Sequence, residues 1–446
     1  MRGHRRQRTR LWPAVQYAAL GLRSDGNVSL GSERSYADSR KGVQWPGLLE
    51  MTMNAYVTGL AGGVAVGYSP RPISRIEAHI RSTVFDRPTL VLDTEVVAAN
   101  YRALKAGLGR AAVHYAVKAN PEAAIIDTLI AEGSHFDAAS KGEIALCLSR
   151  GAKPHEISFG NTIKRASDIA WAFENGIRLF AADAEEEIEK IAEHAPGTDV
   201  YIRLIVDATE ADWPLSRKFG CARDKALALL ANAQRRGLNP VGFSFHVGSQ
   251  TRRPEMWTAT LDQVSAIWHE AADAGFALTL LNIGGGFPAF YGEEVTPATA
   301  YAAQVMELVR QRFGDVPHIM AEPGRGLVAE AGMIAAEVML VSRKSDNDAH
   351  RWVYLDIGKF SGLAETIDEA IRYQFITDRD HEPAGPCVLA GPSCDSADVL
   401  YEKRPVQLPL GLKSGDRVII RNCGAYTSSY SSVGFNGFPP LDVTVL

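Results

Sequence analysis

The sequence predicts an α/β protein in which a closed (β/α)8, TIM-like barrel is followed by a mainly β carboxyl-terminal domain. First, apolar strand-like runs alternate with amphipathic helical stretches eight times between residues 98 and 334. Such alternation is typical of parallel sheets, most simply a closed barrel, with an open doubly wound sheet as the competing architecture. Second, residues 335–446 contain strand-like runs separated by turn residues, with few helical patterns, which favours a β domain.

The individual elements follow from the same periodicity. A short strand at residues 89–93 and a helix at residues 94–107 come first. The eight predicted barrel strands are residues 113–118, 134–140, 156–160, 178–183, 200–206, 242–248, 280–286 and 318–324. The helical stretches between them include residues 122–132, 185–193 and 222–236, the last of which stops at Gly237. The predicted strands of the β domain are residues 335–342, 351–358, 387–391 and 416–424.

Residues 1–70 have a different composition from the rest of the chain. The first 41 residues contain nine Arg or Lys against three Asp or Glu, and the segment is rich in Gly and Ser without helical or strand period. We expect either a disordered extension or a start assigned too early, with the working protein beginning near Met51 or Met53. A basic, acid-poor targeting peptide is the alternative.

Composition gives no support to several classes of function. The net charge of −5 gives no reason to expect a nucleic-acid partner. The five cysteines are scattered without a CxxC pair, and the histidines lack HxH or HExxH spacing, so we expect neither a disulfide framework nor a metal site. This cysteine usage fits a reducing cytoplasm. The uncharged stretch at residues 56–70 is too short and too weakly apolar to predict a membrane span.

Lys118 is the residue around which the chemistry is predicted to gather. Val113, Tyr115 and Val117 alternate as in a buried strand, and Asn120-Pro121 is typical of a helix start. This places Lys118 at the carboxyl end of a strand, where a lysine must pair, shift its pKa or react, for example by forming an imine. A lysine that merely closes the strand at the solvent rim is the alternative.

Other chemically capable residues lie at the carboxyl ends of the predicted barrel strands, which form the face where barrel active sites are built. These residues are Lys118, Asp137, Arg203, His246, Ser249, Gly284, Gly285, Gly286, Glu322 and Arg325. Three glycines can be a flexible turn, but after a strand they also expose backbone N–H groups that cradle a phosphate. Arg325 would then add a bidentate donor to the same phosphate.

The remaining two side chains favour one ligand over the simpler alternatives. His246 is either a rim histidine or a ring that stacks on an aromatic cofactor. Glu322 either pairs with Arg325 or holds a proton on a pyridine nitrogen. An imine-forming lysine, a phosphate cradle, a stacking ring and a carboxylate together describe pyridoxal 5'-phosphate, an electron sink for amino-acid chemistry. A barrel aldolase with a bare lysine would need neither the cradle nor the carboxylate.

The predicted β domain supplies a second group. Cys394 and Asp395 stand side by side between turn formers, so Cys394 is either a buried structural thiol or a proton donor. The glycine-rich loop at residues 424–438 contains Tyr426, whose hydroxyl can donate a hydrogen bond to the phosphate, and Phe435, which can form a wall of the substrate site.

From about residue 85 onward the chain resembles the ornithine/diaminopimelate/arginine decarboxylase family of alanine-racemase-like fold, and most closely the ornithine decarboxylases of its bacterial-type branch. The resemblance rests on seven motifs in the family's order, namely YAVKAN, FDAAS, FHVGSQ, NIGGGFP, AEPGRG, GPSCDSADVL and GAY…FNGF. It implies a pyridoxal-phosphate barrel over residues 98–334. It also implies that the strand in residues 71–97 joins the β domain.

The resemblance also implies roles for individual residues. Lys118 would form the internal aldimine, His246 would stack on the ring, and Glu322 would hold the ring nitrogen. The residues implied to support the cofactor or hold its phosphate are Asp137, Arg203, Ser249, Gly284, Gly285, Gly286, Gly324, Arg325 and Tyr426. The family is a head-to-tail homodimer with sites at the interface. Cys394 would therefore return a proton, and Asp395 would bind the substrate's distal ammonium, at the partner's cofactor.

These assignments predict decarboxylation of L-ornithine to putrescine and CO2, as in polyamine biosynthesis. One departure concerns the second anion for the distal amine, because Ile357 stands where eukaryotic ornithine decarboxylases have aspartate. Asp356 and Glu365 are the candidates for that anion, and lysine beside ornithine becomes a plausible substrate. Diaminopimelate decarboxylases have glutamate at the position of Asp395, so aspartate favours a substrate with a cationic tail. A non-catalytic regulatory homologue is a further alternative, as is a racemase, which has no use for the Cys394–Asp395 pair.

Overall fold

The structure is a computed structural model that describes residues 73–206 and 218–446, all within one compact unit. The extension predicted for residues 1–70 lies outside these residues. None of the helices in the described ranges is both long and apolar enough to cross a membrane.

Eight parallel strands close into a barrel, as the sequence predicted, and the open doubly wound alternative is excluded. Each strand pairs with the next, and the last pairs with the first through Val113 and Ala321. After the short strand β1 (Thr89–Leu92), the barrel strands are β2 (Ala112–Ala116), β3 (His135–Ala138), β4 (Ile157–Phe159), β5 (Leu179–Ala182), β6 (Asp199–Arg203), β7 (Asn239–Ser244), β8 (Leu280–Asn282) and β9 (His318–Ala321).

The helices of the described residues alternate with the barrel strands, except for the first, which packs against β1. They are α1 (Arg75–Ser82), α2 (Thr94–Leu108), α3 (Ala123–Ala131), α4 (Lys141–Ser149), α5 (Ala166–Glu174), α6 (Glu185–His194), α7 (Arg223–Arg235), α8 (Thr258–Asp273), α9 (Ala298–Phe313) and α10 (Arg325–Val328). Helix α7 is followed by Gly237 with a φ of 77°, a conformation that favours glycine and explains the predicted stop. Helix α2 starts at Asp93, whose side chain accepts a hydrogen bond from the N–H of Glu95.

Side chains alternate between the inside and the outside of the barrel. Along β6, Val200 and Ile202 pack outward into the main core, while Tyr201 belongs to a small separate cluster inside the barrel. In β9, Met320 joins that inner cluster, flanked by outward-facing neighbours. The period of two then turns Arg203 and Glu322, at or just beyond these strand ends, toward the barrel axis. The alternation thus explains why polar residues converge at one end of the barrel.

The carboxyl-terminal part forms a mixed sheet. Its strands are β10 (Gly332–Ser342), β11 (Arg351–Leu355), β12 (Phe375–Thr377), β13 (Ala384–Ala390), β14 (Val399–Leu400), β15 (Val406–Pro409), β16 (Arg417–Arg421) and β17 (Asp442–Val445). The strand order is β12-β16-β10-β11-β13-β14, and β15 pairs with β13. Strand β1 lies in the same sheet, antiparallel to β10 and parallel to β17.

Two local predictions were wrong. The strand predicted to run to residue 118 ends at Ala116, and Lys118 lies in a 3-10 turn, Val117–Ala119. The next helix begins at Ala123, and its cap is Glu122 and not Asn120. The Asn120 side chain instead accepts a hydrogen bond from the N–H of Glu122, one residue before the helix. Helix α1, within residues 71–97, was not predicted.

Candidate active site

The turn that carries Lys118 is fastened to the carboxyl-terminal part of the chain. The side chain of Asn120 donates to the carbonyl of Gly424 at 2.8 Å, and the N–H of Tyr426 donates to the carbonyl of Ala119 at 2.8 Å. Beneath the turn, the buried hydroxyl of Tyr115 donates to the carbonyl of Asn120. The barrel mouth and the loop of Tyr426 are thereby held together.

Lys118 and most of the predicted cofactor residues line one cavity of about 50 Å³ at the mouth of the barrel. The lining residues are Ala116, Lys118, His246, Ser249, Gly285, Gly286, Phe287, Glu322, Gly324, Arg325 and Tyr426. Lys118 is surrounded by protein atoms but exposed to this cavity, and its amine has no hydrogen-bond partner among the described residues. The amine of Lys118 is thus available to a ligand in this cavity.

Acidic groups converge on Lys118. Burial by itself lowers the pKa of Lys118, but Tyr426, Asp137 and Glu322 outweigh burial, so that the pKa is raised and the amine is held as a cation. Burial also raises the pKa of Asp137. Burial, together with the nearby Asp137, raises the pKa of Glu322 to about 7. Arg203 counteracts this increase at both carboxyl groups, which places a second cation in the cluster.

Asn282 connects Glu322 to the glycine turn. This fully buried side chain donates to Glu322 Oε1 at 2.5 Å and accepts the N–H of Gly284 at 2.9 Å. The bond from Asn282 lowers the pKa of Glu322 and so opposes the effect of burial. Only a side chain with both a donor and an acceptor can serve these two partners.

His246 is held as a neutral ring. Burial, with the nearby cations of Arg203 and Lys118, lowers the pKa of His246 well below its usual value. The N–H of Gly248 donates to His246 Nδ1 at 3.0 Å, which places the ring proton on Nε2. A neutral imidazole at the cavity wall suits stacking against another flat ring.

Glycines make room on the opposite walls. A Cβ atom on Gly285 would lie 2.7 Å from the carbonyl oxygen of Glu322 and 3.0 Å from His246 Nε2. A Cβ atom on Gly324 would approach the Tyr426 hydroxyl to 3.2 Å. Gly286 has a φ of 106°, which side chains rarely adopt. At these cavity-lining positions the surrounding protein therefore leaves little room for a side chain.

Arg325 lies at the start of α10 and is 4% exposed. Its guanidinium makes a bidentate pair with the buried carboxylate of Glu365, at 2.5 and 2.7 Å. It also donates to Ser249 Oγ at 3.2 and 3.3 Å and to the Tyr291 hydroxyl at 3.1 Å. The ring of Tyr426 lies 4.9 Å from the guanidinium carbon. Glu365 therefore enters the site as the partner of Arg325, and the pairing of Glu322 with Arg325, which was the alternative role for Glu322, does not form.

Cys394 and Asp395 lie apart from this cavity. Both are exposed, and neither is among the residues that line the cavity of Lys118. The N–H of Cys394 donates to Asn436 Oδ1 at 2.8 Å, next to Phe435, whose ring packs against Phe360 at 4.9 Å. Cys394 is not a buried structural thiol. The two residues form a surface group together with the loop of Phe435.

Asp356 is not brought to either group. Its carboxylate accepts the N–H of Glu337 on β10 at 2.8 Å, and Asp356 lines two clefts that share no residue with the cavity of Lys118. Burial raises the pKa of Asp356 to about 6. The neighbouring Ile357 is fully buried in the core. The structure thus leaves Glu365 as the candidate anion near the cofactor residues.

Three residues of these groups were missed from the sequence. Asn282 was passed over as part of a glycine motif, although its inward position on β8 could have drawn attention to it. Tyr291 carries no sequence signal. Asp398 is 3% exposed, accepts the N–H of Lys359 at 2.7 Å and accepts both the N–H and the hydroxyl of Ser393. It thereby fixes the loop that carries Cys394.

The residues around the cavity suit a phosphorylated pyridine aldehyde. They offer an amine facing the cavity, a neutral ring, a carboxyl group with a pKa of about 7, a buried guanidinium, and glycine backbone where a Cβ would fill the space. Each feature matches one part of pyridoxal phosphate, which needs an imine partner, a ring-nitrogen partner and a phosphate cradle.

Comparisons with known proteins agree with this chemistry. Residues 94–329 match the model of the pyridoxal-dependent decarboxylase family, pyridoxal binding domain. The chain is 35% identical to a lysine/ornithine decarboxylase of Selenomonas ruminantium over 79% of this chain and 87% of that protein. It is 31% identical to antizyme inhibitor 2 of Xenopus laevis over 77% of each chain. A crystal structure of lysine/ornithine decarboxylase from Vibrio vulnificus, complexed with cadaverine, superposes with a TM-score of 0.74 at 34% identity, covering 83% of this chain and 97% of that one.

Proposed function

This chain belongs to the family of pyridoxal-dependent decarboxylases, and on that premise we propose that it decarboxylates L-ornithine to putrescine and CO2. The family's cofactor is pyridoxal phosphate. The proposal is supported chiefly by the convergence of Lys118, His246, Glu322 and Arg325 on one cavity at the barrel mouth.

Each cavity residue has a proposed task. When bound, pyridoxal phosphate supplies an electron sink for the electron pair left on the substrate's α-carbon. Lys118 provides the amine that attaches the cofactor, and the neutral ring of His246 stacks on it. Glu322, with a pKa of about 7, holds a proton at the ring nitrogen. Asp137, Arg203 and Ser249 position these groups. The proposed phosphate site consists of Gly284, Gly285, Gly286, Gly324, Arg325 and Tyr426.

The substrate end is proposed to come from a second copy of the chain. Cys394 and Asp395 are exposed and do not line the cavity of their own chain, so in a homodimer they are available to the partner's cavity. There Cys394 would return a proton to the α-carbon. Asp395 would bind the distal ammonium, because a desolvated cation needs a counter-charge. Phe435, beside them, would form an apolar wall.

L-Lysine is the second candidate substrate. Ile357 carries no charge, and Asp356 accepts the N–H of Glu337 and does not line the cavity of Lys118, so neither provides an anion at a fixed distance suited to the shorter ornithine chain. The relatives from S. ruminantium and V. vulnificus are both named lysine/ornithine decarboxylases. A protein that accepts both amino acids is therefore the alternative to one restricted to ornithine.

The test is release of CO2 from ornithine, lysine, arginine and diaminopimelate by the purified protein supplied with pyridoxal phosphate. We expect release from ornithine, with lysine as the second substrate, and none from diaminopimelate. Lys118→Ala should abolish both turnover and the absorbance of lysine-bound cofactor. Retained absorbance in this variant would disprove the role of Lys118.

A non-catalytic regulatory protein is the competing class, and one relative is named an antizyme inhibitor. Against this alternative, Lys118, Cys394 and Arg325 are all present in the chain. Absence of CO2 release from all four amino acids, with the cofactor bound, would favour the regulatory class.

A further inference from the structure

All N–H groups of the Arg325 guanidinium have acceptors. An arginine has five N–H donors in a fixed planar arrangement. Nη1 donates to Glu365 Oε2 and Tyr291, Nη2 donates to Glu365 Oε1 and Ser249, and Nε donates to Ser249. A phosphate can therefore bind Arg325 bidentately only if one of these acceptors leaves.

Glu365 is the acceptor that a phosphate would replace. Carboxylate and phosphate take the same bidentate geometry on a guanidinium. Both Arg325 and Glu365 are about 5% exposed, so a phosphate brought beside an undisplaced Glu365 would meet a negative charge with little screening by water. Ser249 and Tyr291 are neutral and bring no such repulsion.

The segment that carries Glu365 is anchored at its other end. Glu369 makes ion pairs with Arg372 and Arg404 and accepts the N–H groups of Lys403 and Arg404. The side chain of Glu365 is held by Arg325. Loss of that pair would release Glu365 without detaching the segment.

We propose that Glu365 and the phosphate group of the cofactor compete for Arg325. The Glu365 carboxylate pairs with Arg325 when no phosphate is bound. Arg325 keeps a counter-charge in either case, which avoids an uncompensated buried cation. The cost is a weakened affinity for any phosphorylated ligand. The inference rests on the proposed function only in that Arg325 receives the cofactor phosphate.

The opposite hypothesis is that Glu365 orients Arg325 so that the guanidinium can bind phosphate. The two readings predict changes of opposite sign in the neutral, isosteric variant Glu365→Gln. Competition predicts that this variant binds pyridoxal phosphate more tightly, by about tenfold for a loss of competition worth 1.4 kcal/mol. Orientation predicts weaker binding.

The experiment is an absorbance titration of dialysed protein with pyridoxal phosphate and, separately, with pyridoxal, which lacks the phosphate. We expect Glu365→Gln to tighten binding of pyridoxal phosphate and to leave binding of pyridoxal unchanged. Asp368→Asn, a loss of charge at an exposed position in the same segment, is the matched control and should change neither affinity.

Glu365→Asp keeps the charge but has a shorter side chain, so it should give an intermediate gain in affinity for pyridoxal phosphate. It replaces Glu365→Gln in the test if that variant does not fold. Weaker or unchanged affinity for pyridoxal phosphate would overturn the proposal. No substrate is present in these titrations, so the result is independent of which amino acid is decarboxylated. If no variant, nor the wild type, binds pyridoxal phosphate, the proposed function fails instead.

Discussion

The side-chain amide of Asn282 donates a hydrogen bond to the carboxylate of Glu322 while its carbonyl accepts the N–H of Gly284. A single buried amide thus links the proposed partner of the cofactor's ring nitrogen with the proposed phosphate cradle. The two ends of the cofactor are therefore positioned by one side chain.

We expect Asn282→Ala to weaken binding of pyridoxal phosphate by about tenfold or more, because a hydrogen bond to a charged group is worth about 1.5–3 kcal/mol. An absorbance titration would measure the dissociation constant. Asn239→Ala, which removes a surface amide at the start of β7, is the control. Equal affinities of the Asn282 and Asn239 variants would show that the link does not position the cofactor.

The cradle predicts that Gly285→Ala loses the cofactor. Its Cβ would lie 2.7 Å from the Glu322 carbonyl oxygen, closer than real contacts allow, and would push against the ring of His246. The matched change is Gly142→Ala on helix α4, where the new Cβ would meet only Ser140 at an ordinary 3.7 Å. We expect the first variant to show little cofactor absorbance after gel filtration and the second to match the wild type. Full retention by Gly285→Ala would contradict the cradle.

A homodimer with shared sites makes two inactive variants complement each other. Lys118→Ala lacks the cofactor amine, and Cys394→Ala lacks the proton donor. Random reassortment makes half of the dimers mixed, each with one intact site, so activity should recover to about a quarter of the wild-type value. Formation of putrescine, which needs both the cofactor amine and the proton donor, is measured after the two variants are mixed and briefly exposed to mild denaturant. Lack of recovery despite formation of mixed dimers would place both residues in the same chain's site.

The burial of His114 inside the protein predicts a loss of stability in acid. His114 is buried, its ring lies 4.9 Å from that of His135, and burial lowers the pKa of His114 to about 3. Between pH 6.5 and 3 the unfolded histidine binds a proton that the folded one does not. Stability is therefore complete above pH 6.5 and falls by about 1.4 kcal/mol per pH unit below it.

The measurement is the free energy of unfolding by urea at pH 7.5 and 5.5. We expect the wild type to lose about 1.4 kcal/mol more than His114→Phe over this interval. Equal losses in the two proteins would mean that His114 does not titrate as its burial requires. Because His114 lies in the middle of β2 and does not line the cavity of Lys118, cofactor binding provides a separate check on folding.

Much of the barrel and of its mouth could be predicted because both depend on short-range periodicity. The period of two within a strand fixes which side chains point inward, and parallel strands bring their carboxyl ends to one face. The inward positions of Arg203 and Glu322 follow in this way, whereas Lys118 lies in a 3-10 turn beyond its strand, where the period of two no longer applies. The pairing of Glu365 with Arg325 could not be found, because it joins a barrel loop to a distant 3-10 segment through tertiary packing.

The location of the Asp356 side chain could not be predicted from the sequence for a related reason. Adjacent sequence letters suggested a substitute for the aspartate missing at Ile357. The alternation of side chains along the strand instead turns Asp356 away from the core. Its carboxylate accepts a hydrogen bond from the N–H of Glu337 on the neighbouring strand. A shift of one residue along a strand moves a side chain to the other face of the sheet.

Strand β1 has consequences for how the protein is made. Leu92 pairs with Gly332 on one side and with Val445 on the other, although all barrel strands lie between β1 and β10 in the chain. During synthesis, β1 leaves the ribosome hundreds of residues before either neighbour exists, and it must remain unpaired while the barrel emerges. Contacts so distant in sequence form slowly. Completion of the sheet around β1 is therefore expected to be a late and slow step of folding, because it needs both of these distant partners.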